Sequence, residues 1–235
     1  MYKRFASAFL VLLLSGCATK MLKPDPITQA DLTAQSGVLA GSFARNPNAP
    51  QYYSQTFYFK NAVTGEKHEI KSQQEFNPLS GGRTADEFKK KDGAGATFAL
   101  KLPVGRYVFY NFSLYRPSPL GHTYYYSKAD FAIPFEVVPN QVSYVGEIKL
   151  EGSTGRNIFG MKMPAGGIWI ISDKKDRDLA LLQTAMPGLP LTSVASVVPM
   201  TKDVFTPLVV LPSEPQPAQP KQDEDEEEDE EEEKK

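Results

Sequence analysis

The stretch TFALKLPVGRYVFYNFSLYR, residues 97–116, decides the fold of this chain. Its first half alternates, with apolar side chains at Phe98, Leu100 and Leu102, which is the period of a strand that buries one face. The segment Pro103-Val104-Gly105 predicts a tight turn, because proline fixes φ and glycine accepts positive φ. A second strand is predicted from Arg106 to Arg116. Its apolar and aromatic residues fall at both odd and even positions, so we expect both faces to be partly covered.

Further strands are predicted on both sides of this stretch. Upstream, residues 55–60 and 66–71 alternate around the turn residues Thr64-Gly65 and predict a hairpin. Downstream, a strand is predicted with one face formed by Phe131, Ile133, Phe135 and Val137. Pro134 favours an edge position for this strand, since proline cannot donate a ladder hydrogen bond.

The last elements are one more strand pair and a helix. In residues 142–150 we expect one face to carry Val142, Tyr144, Ile148 and Leu150. A buried strand is predicted at residues 168–171. A helix of about three turns follows, with Ser172 or Asp173 as its N-terminal cap and its end at Ala185. Leu179, Leu182 and Met186 lie on one face of this helix. Together these elements predict a mainly β fold: an antiparallel β-sandwich with one short C-terminal helix.

The N-terminus has the pattern of a secretory signal. Lys3 and Arg4 precede about ten apolar residues, which is too few to span a membrane. The run ends at Leu14-Ser15-Gly16-Cys17, which resembles the lipobox of bacterial lipoproteins. The resemblance implies cleavage before Cys17, a diacylglycerol on its sulfur and an acylated amino group. It also implies that Ala18 directs the protein to the outer membrane, and we expect the domain to face the periplasm. The alternative is an ordinary secretory signal with a chance cysteine.

Composition then divides the chain into five segments. These are a lipoprotein signal peptide at 1–16, a lipid-anchored tether at 17–36, a β-sandwich domain at 37–190, an extension at 191–212 and a disordered tail at 213–235. The extension either packs on the domain or stays loose. The tail alternates proline and glutamine before an acidic block, a composition that cannot bury a core.

Charge is distributed unevenly along the chain. Lys and Arg total 26 and Asp and Glu total 28, but every residue of Asp223–Glu233 is acidic. The rest of the chain is therefore mildly basic, too weakly for a nucleic-acid surface. The acidic segment is expected to be solvated and self-repelling, or to act as a partner-docking or cation-collecting arm. With the single Cys17 acylated, no thiol would remain for a disulfide.

The middle of the chain carries a second resemblance. The segments Leu102-Pro103-Val104-Gly105-Arg106-Tyr107 and 135–147 resemble a pattern in Gram-negative envelope lipoproteins of unknown function. Val104 departs from that pattern, in which proline often precedes the turn glycine. The resemblance implies a transthyretin-like or carboxypeptidase-regulatory-like β-sandwich over residues 95–190. It implies no catalytic residues.

The sequence offers little that catalysis or metal binding would need. The two histidines, His68 and His122, are isolated and are interpreted as surface residues. No zinc, hydrolase or phosphate-loop motif occurs, so we predict no catalytic residue, no metal and no cofactor. The protein is therefore predicted not to be an enzyme, and the alternative is an envelope hydrolase or other enzyme whose site is not recognisable.

Tyrosines form the candidate binding site. The connection at residues 117–121 is flanked by Tyr115, Tyr124, Tyr125 and Tyr126. Exposed tyrosines can stack on sugars or on partner side chains, although strand tyrosines often only cover a sheet face. The sequence thus predicts a lipid-anchored, non-enzymatic binding or scaffolding module. Its expected partners are the membrane, through Cys17, and an unknown envelope protein or polysaccharide.

Overall fold

The structure, a computed structural model, describes residues 27–73, 86–91, 93–118, 121–156, 158–200 and 208–211. Cys17, the predicted signal peptide and the predicted tail from Ser213 lie outside these residues. Within them the chain forms two β-sheets and one α-helix. The prediction of a mainly β, sandwich-like fold with one short helix is confirmed.

The strands and the helix follow one another in this order: β1 (Ser36–Arg45), β2 (Ser54–Asn61), β3 (Lys67–Gln73), β4 (Phe88–Lys90), β5 (Gly93–Pro103), β6 (Gly105–Ser118), β7 (Gly121–Tyr126), β8 (Ile133–Val137), β9 (Val142–Arg156), β10 (Lys162–Ser172), α1 (Lys175–Ala185), β11 (Val194–Ser196) and β12 (Val209–Val210). A single turn of 3-10 helix precedes them at Gln29–Asp31.

Two sheets face each other. The seven-stranded sheet has the order β12-β10-β9-β1-β5-β4, with β11 also paired to β9. The five-stranded sheet has the order β3-β2-β6-β7, with β8 also paired to β6. The turn at Val104 does not make a hairpin, because β5 and β6 belong to different sheets. Among the described strands β8 pairs only with β6, so Pro134 sits at an edge as predicted.

The pairing is not antiparallel throughout, which corrects one part of the prediction. β9 runs parallel to both β1 and β11, and β10 runs parallel to β12. The cause is the path of the chain, which leaves the seven-stranded sheet after β1, returns for β4 and β5, and leaves again for β6 to β8. β9 re-enters beside β1 after this long connection and runs in the same direction as β1. A long crossover of this kind is what parallel pairing of two strands requires.

The core between the sheets is built around Trp169 of β10. Its ring lies 5.2 Å from the rings of both Phe43 and Phe57, and 5.7 Å from that of Phe112, in edge-on geometry. Phe43 belongs to the same sheet as Trp169, while Phe57 and Phe112 belong to the opposite sheet. The indole is fully buried. Trp169 therefore joins the two layers at their centre.

A bulge explains why β6 looked apolar on both faces. The register of β2 against β6 shifts between Tyr58, which is opposite Asn111, and Phe59, which is opposite Phe109. One extra residue, Tyr110, is accommodated there, so the buried face changes parity. Tyr107 and Phe109 are buried before the bulge, and Phe112 and Leu114 after it.

A second bulge, in β9, overturns one predicted face. Gly146 has φ of +99°, a conformation that glycine adopts without strain, and it lies where β9 holds one residue more than β1. Val142 and Tyr144 consequently lie on the helix side of the seven-stranded sheet, whereas Ile148 and Leu150 lie in the core between the sheets. The prediction that these four residues share one face is wrong. It assumed uninterrupted alternation along β9, and the residue inserted at the bulge reverses the faces that follow it.

Helix α1 covers the outer face of the seven-stranded sheet. Leu182 is fully buried there and belongs to a second apolar cluster with Val38 and Val142, against which Leu179 and Met186 also pack. The predicted apolar face of the helix is confirmed. Leu32 is 7% exposed in the same cluster, so packed structure extends further towards the N-terminus than Gly37.

The extension after the helix also packs on the domain in its described parts. Val194–Ser196 forms β11 beside β9, and Val209–Val210 forms β12 beside β10. Of the two alternatives left open by the sequence, packing is the one observed for these residues.

Candidate functional site

Neighbouring strands of the five-stranded sheet carry three of the four predicted tyrosines on its outer face. Tyr115 of β6 pairs with Tyr124 of β7, and Ser113 pairs with Tyr126. Side chains at paired positions project from the same face, and so do side chains two residues apart along a strand. The register therefore brings Tyr115, Tyr124 and Tyr126 together.

The rings form a continuous group, in which Tyr124 and Tyr126 are exposed and Tyr115 is half-buried. Ring centroids lie 4.8 Å apart for Tyr115 and Tyr124, and 6.0 Å apart for Tyr124 and Tyr126, which are stacked. Tyr53, just before β2, meets Tyr115 edge-on at 5.8 Å. Tyr124 is 54% exposed and Tyr126 is 58% exposed. These two rings are therefore open to solvent.

Tyr125 does not belong to this group. It pairs with Leu114, whose side chain is buried between the sheets, and it therefore points inward. Its ring lies 5.7 Å from that of Tyr52, and its hydroxyl donates a hydrogen bond to the Pro164 carbonyl. Burial raises the pKa of Tyr52 to about 12. Alternation along β7 separates Tyr125 from the candidate surface.

Two tyrosines of the surface escaped the sequence analysis. Tyr58 of β2 has its hydroxyl 3.0 Å from the Ser113 hydroxyl, and Tyr53 adds its ring at the start of the same strand. Alternation with Phe57 and Phe59 does place Tyr58 on the outward face of β2. The sequence did not indicate that β2 lies beside β6. We call the surface formed by Tyr53, Tyr58, Tyr115, Tyr124 and Tyr126 the tyrosine face.

The tyrosine face borders a shallow groove of about 330 Å³. Its lining also includes small hydroxyl residues and one charge of each sign, namely Ser54, Thr56, Ser113, Glu69 and Lys71. At one side, His122 Nδ1 lies 2.8 Å from the Tyr115 hydroxyl. Flat apolar rings and hydrogen-bonding groups thus alternate across one open surface.

The histidines form no catalytic arrangement in the described part of the chain. The His68 ring is stacked on Phe59 at 5.2 Å, so this histidine is partly buried rather than a surface residue. The His122 ring lies beside Tyr115. Across residues 27–211, with the gaps given above, no cluster of His, Cys, Asp and Glu could hold a metal ion.

A buried ionic network joins α1 to the outer face of the seven-stranded sheet. The Asp178 carboxylate is fully buried and accepts hydrogen bonds from the Ser42 and Tyr144 hydroxyls, each at 2.8 Å. Its other oxygen accepts two from Arg177, at 2.8 and 2.6 Å, and Arg177 also lies 2.8 Å from a Glu147 oxygen. Both oxygens of the Asp178 carboxylate therefore accept hydrogen bonds.

The ionisation of this network follows from its geometry. Burial raises the pKa of Asp178, and the hydrogen bonds from Arg177, Ser42 and Tyr144 oppose that shift. Burial alone would lower the pKa of Arg177, but its bonds to Asp178 and Glu147 raise it overall. Burial and the adjacent carboxylate hold the pKa of Tyr144 far above its usual value. Tyr144 is thus a donor, and the network clamps the helix onto the sheet.

A basic cleft of about 370 Å³ opens beside this network. Its nine lining residues include four that are basic and one that is acidic: Lys90, Lys149, Lys174, Arg177 and Glu147. Phe88 forms part of the wall, with the Arg177 guanidinium 3.9 Å above its ring centre. The sequence analysis did not single out this cleft, because its residues come from five separate elements. We refer to it below as the basic cleft.

Comparison with known proteins assigns no family to the chain. No protein-family model matches it, and no curated protein matches it. A leucine-rich repeat protein from Bacteroides thetaiotaomicron is similar over 50% of this chain and 14% of its own, at 12% identity and a TM-score of 0.30. A proposed cell adhesion protein from Parabacteroides distasonis is similar over 58% of this chain and 41% of its own, at 12% identity and a TM-score of 0.27. The chain therefore spans less than half of either structure, and similarity at this level carries no argument about function.

Within the described residues, no helix combines the length and the apolar character needed to cross a bilayer.

Proposed function

We propose that this chain is a lipid-anchored protein of the bacterial cell envelope, without enzymatic activity, whose tyrosine face binds an envelope polysaccharide. The observation that carries the proposal is the exposed, stacked pair Tyr124 and Tyr126, which the half-buried Tyr115 ring extends at 4.8 Å from Tyr124. Tyrosine rings offer an apolar face that can cover the C–H face of a sugar ring, and their hydroxyls can exchange hydrogen bonds with sugar hydroxyls.

The lining of the groove favours a polysaccharide over a protein partner. The core of a protein–protein interface is depleted in charged residues, whereas Glu69 and Lys71 line this groove directly. Sugar hydroxyls can bond to both charges.

The anchor is the second part of the proposal and rests on residues outside the described structure. The lipobox-like Leu14-Ser15-Gly16-Cys17 supports acylation of Cys17. One acyl chain holds a protein only marginally at a membrane, while two or more hold it stably. Ala18 supports sorting to the outer membrane. We propose that the domain faces the periplasm there.

The binding part is tested by removing two exposed rings. The double variant Tyr124→Ala/Tyr126→Ala should bind purified envelope polysaccharide about thirtyfold more weakly, because each of the two lost ring contacts is worth roughly 1 kcal/mol. Affinity electrophoresis through gels containing peptidoglycan glycan chains or lipopolysaccharide O-chains measures the change.

The matched control for this experiment is Val63→Ala. Val63 is 89% exposed in the β2–β3 turn of the same sheet, and its truncation should leave affinity unchanged. Equal mobility shifts for the wild type and the double variant, or no shift of the wild type by either polymer, would contradict the proposal.

The anchor is tested separately by the variant Cys17→Ser. We expect this variant to lose incorporation of a clickable fatty acid and to leave the membrane fraction. Ser15→Ala, two residues away, should keep both properties and serves as the control. Fatty-acid labelling of Cys17→Ser at the wild-type level would show that Cys17 is not the anchor.

A further inference from the structure

We propose that the acidic segment Asp223–Glu233 of this chain binds in the basic cleft of the same chain. The basic cleft lies on the outer face of the seven-stranded sheet, on the other side of the molecule from the tyrosine face. The inference is therefore independent of the proposed polysaccharide site.

Charge complementarity favours Asp223–Glu233 as the segment that binds in the basic cleft. The basic cleft is lined by Lys90, Lys149, Lys174 and Arg177, with Glu147 as its one acidic lining residue. Arg177 is already paired with Asp178 and Glu147, and Lys149 lies 2.8 Å from a Glu151 oxygen. Lys90 and Lys174, whose side chains are exposed, are thus the main positive charges offered to an incoming anion. Eleven consecutive carboxylates in Asp223–Glu233 are the densest opposite charge in the chain.

The path of the chain brings this segment to the basic cleft. Val210 of β12 pairs with Ile170 of β10, and Ile170 itself lines the cleft. Because the two strands are parallel, β12 runs in the direction that takes β10 to Ser172 and then to Lys174. Both of these residues also line the cleft. At Leu211, the last described residue, the chain therefore runs alongside the part of β10 that lines the basic cleft.

The distance to be covered is short for the chain available. Eleven residues, 212–222, separate Leu211 from Asp223. Fully extended they span at most about 36 Å, more than enough to reach a site beside their own point of departure. A binding event within one chain has an effective concentration in the millimolar range, so contacts too weak to hold a separate peptide would suffice.

Two consequences distinguish this contact from a structural one. It should weaken steeply with salt, because exposed charges are screened beyond about 8–10 Å at ionic strengths of 0.1–0.15 M. It should also keep other anions out of the basic cleft at low salt, which makes the acidic segment a competitor for any anionic partner of that surface.

Zero-length carbodiimide cross-linking of the full-length chain in detergent, read by peptide mass spectrometry, tests the proposal. At 20 mM salt we expect amide bonds between carboxylates of Asp223–Glu233 and the amines of Lys90, Lys149 and Lys174. Their yield should exceed that at the exposed Lys67 and Lys128 at least fivefold, and should fall to that background at 500 mM salt. Equal yields at all of these lysines would overturn the proposal.

Charge reversal and isotope mixing complete the test. Lys90→Glu/Lys174→Glu should reduce the remaining cross-link to Lys149 at least fivefold, whereas the control Lys67→Glu/Lys128→Glu should leave it unchanged. Unchanged cross-linking in the first variant would contradict docking in the basic cleft.

In a mixture of unlabelled and ¹⁵N-labelled chains, each cross-linked peptide pair should carry a single label. Mixed pairs in quantity would show that a second copy, and not the same chain, supplies the acidic segment.

Discussion

Replacing Trp169 with alanine is expected to lower the free energy of unfolding by about 3–5 kcal/mol. The indole is fully buried and meets Phe43 on its own sheet and Phe57 and Phe112 on the other. Its removal takes away apolar contacts with both layers and leaves a cavity that neither sheet can close without losing its own pairing. A domain of this size should melt about 10 °C lower, which scanning calorimetry measures.

The neighbouring Ile168 supplies the control. It lies on the same strand, points to the opposite face and is 40% exposed, so Ile168→Ala should cost far less. Trp169→Phe is the finer test. The Trp169 Nε1 is buried with no hydrogen-bond partner among the described residues, and phenylalanine removes that unpaired donor while keeping a ring. A loss from Trp169→Phe as large as that from Trp169→Ala would contradict the packing account.

The second large effect is expected from Asp178→Ala, at about 3–5 kcal/mol. The substitution leaves the Ser42 and Tyr144 hydroxyls without their shared acceptor and removes one of the two carboxylates that neutralise Arg177. Buried donors without an acceptor lose their hydration and gain nothing in return. Chemical denaturation followed by circular dichroism gives the change in the free energy of unfolding.

Asp176 is the matched control for this prediction. It is an exposed aspartate in the same first turn of α1, so it shares any interaction with the helix dipole but not the buried network. Asp176→Ala should change the free energy of unfolding by no more than about 1 kcal/mol. Similar losses from Asp178→Ala and Asp176→Ala would show that the network does not hold the helix to the sheet.

The sequence predicted which segments form strands better than it predicted which strands meet. The alternation of Phe98, Leu100 and Leu102 and the apolar face of α1 are local properties, and both are observed. Parallel pairing of β1 with β9 depends on contacts between residues about 100 positions apart, which no local period encodes. The bulges at Tyr110 and Gly146 are also invisible to a period of two, because each inserts one residue and reverses the faces that follow.

The candidate site was predicted only in part, because local patterns show which residues share a strand face but not which distant strands are neighbours. Tyr115, Tyr124 and Tyr126 meet as expected because β6 and β7 are adjacent in sequence. Strict alternation along β7 points Tyr125 to the opposite face from Tyr124 and Tyr126. The inward orientation of Tyr125 was therefore predictable from the sequence. Tyr53 and Tyr58 required knowledge that β2 lies beside β6. The basic cleft and the Asp178 network required the helix to be placed on the sheet, which residue patterns alone did not provide.

Tyrosine-selective ¹³C NMR of the full-length chain, titrated with purified envelope polysaccharide, tests the central proposal most directly. The chain has 11 tyrosines, and the buried ones serve as internal controls. We expect shift changes on the tyrosine face, at Tyr53, Tyr58, Tyr115, Tyr124 and Tyr126, and none at the buried Tyr52, Tyr107 and Tyr144. Saturating shifts confined to the tyrosine face would agree with a binding module that uses this surface. Binding that leaves the tyrosine face unshifted, or no binding at all, would contradict it.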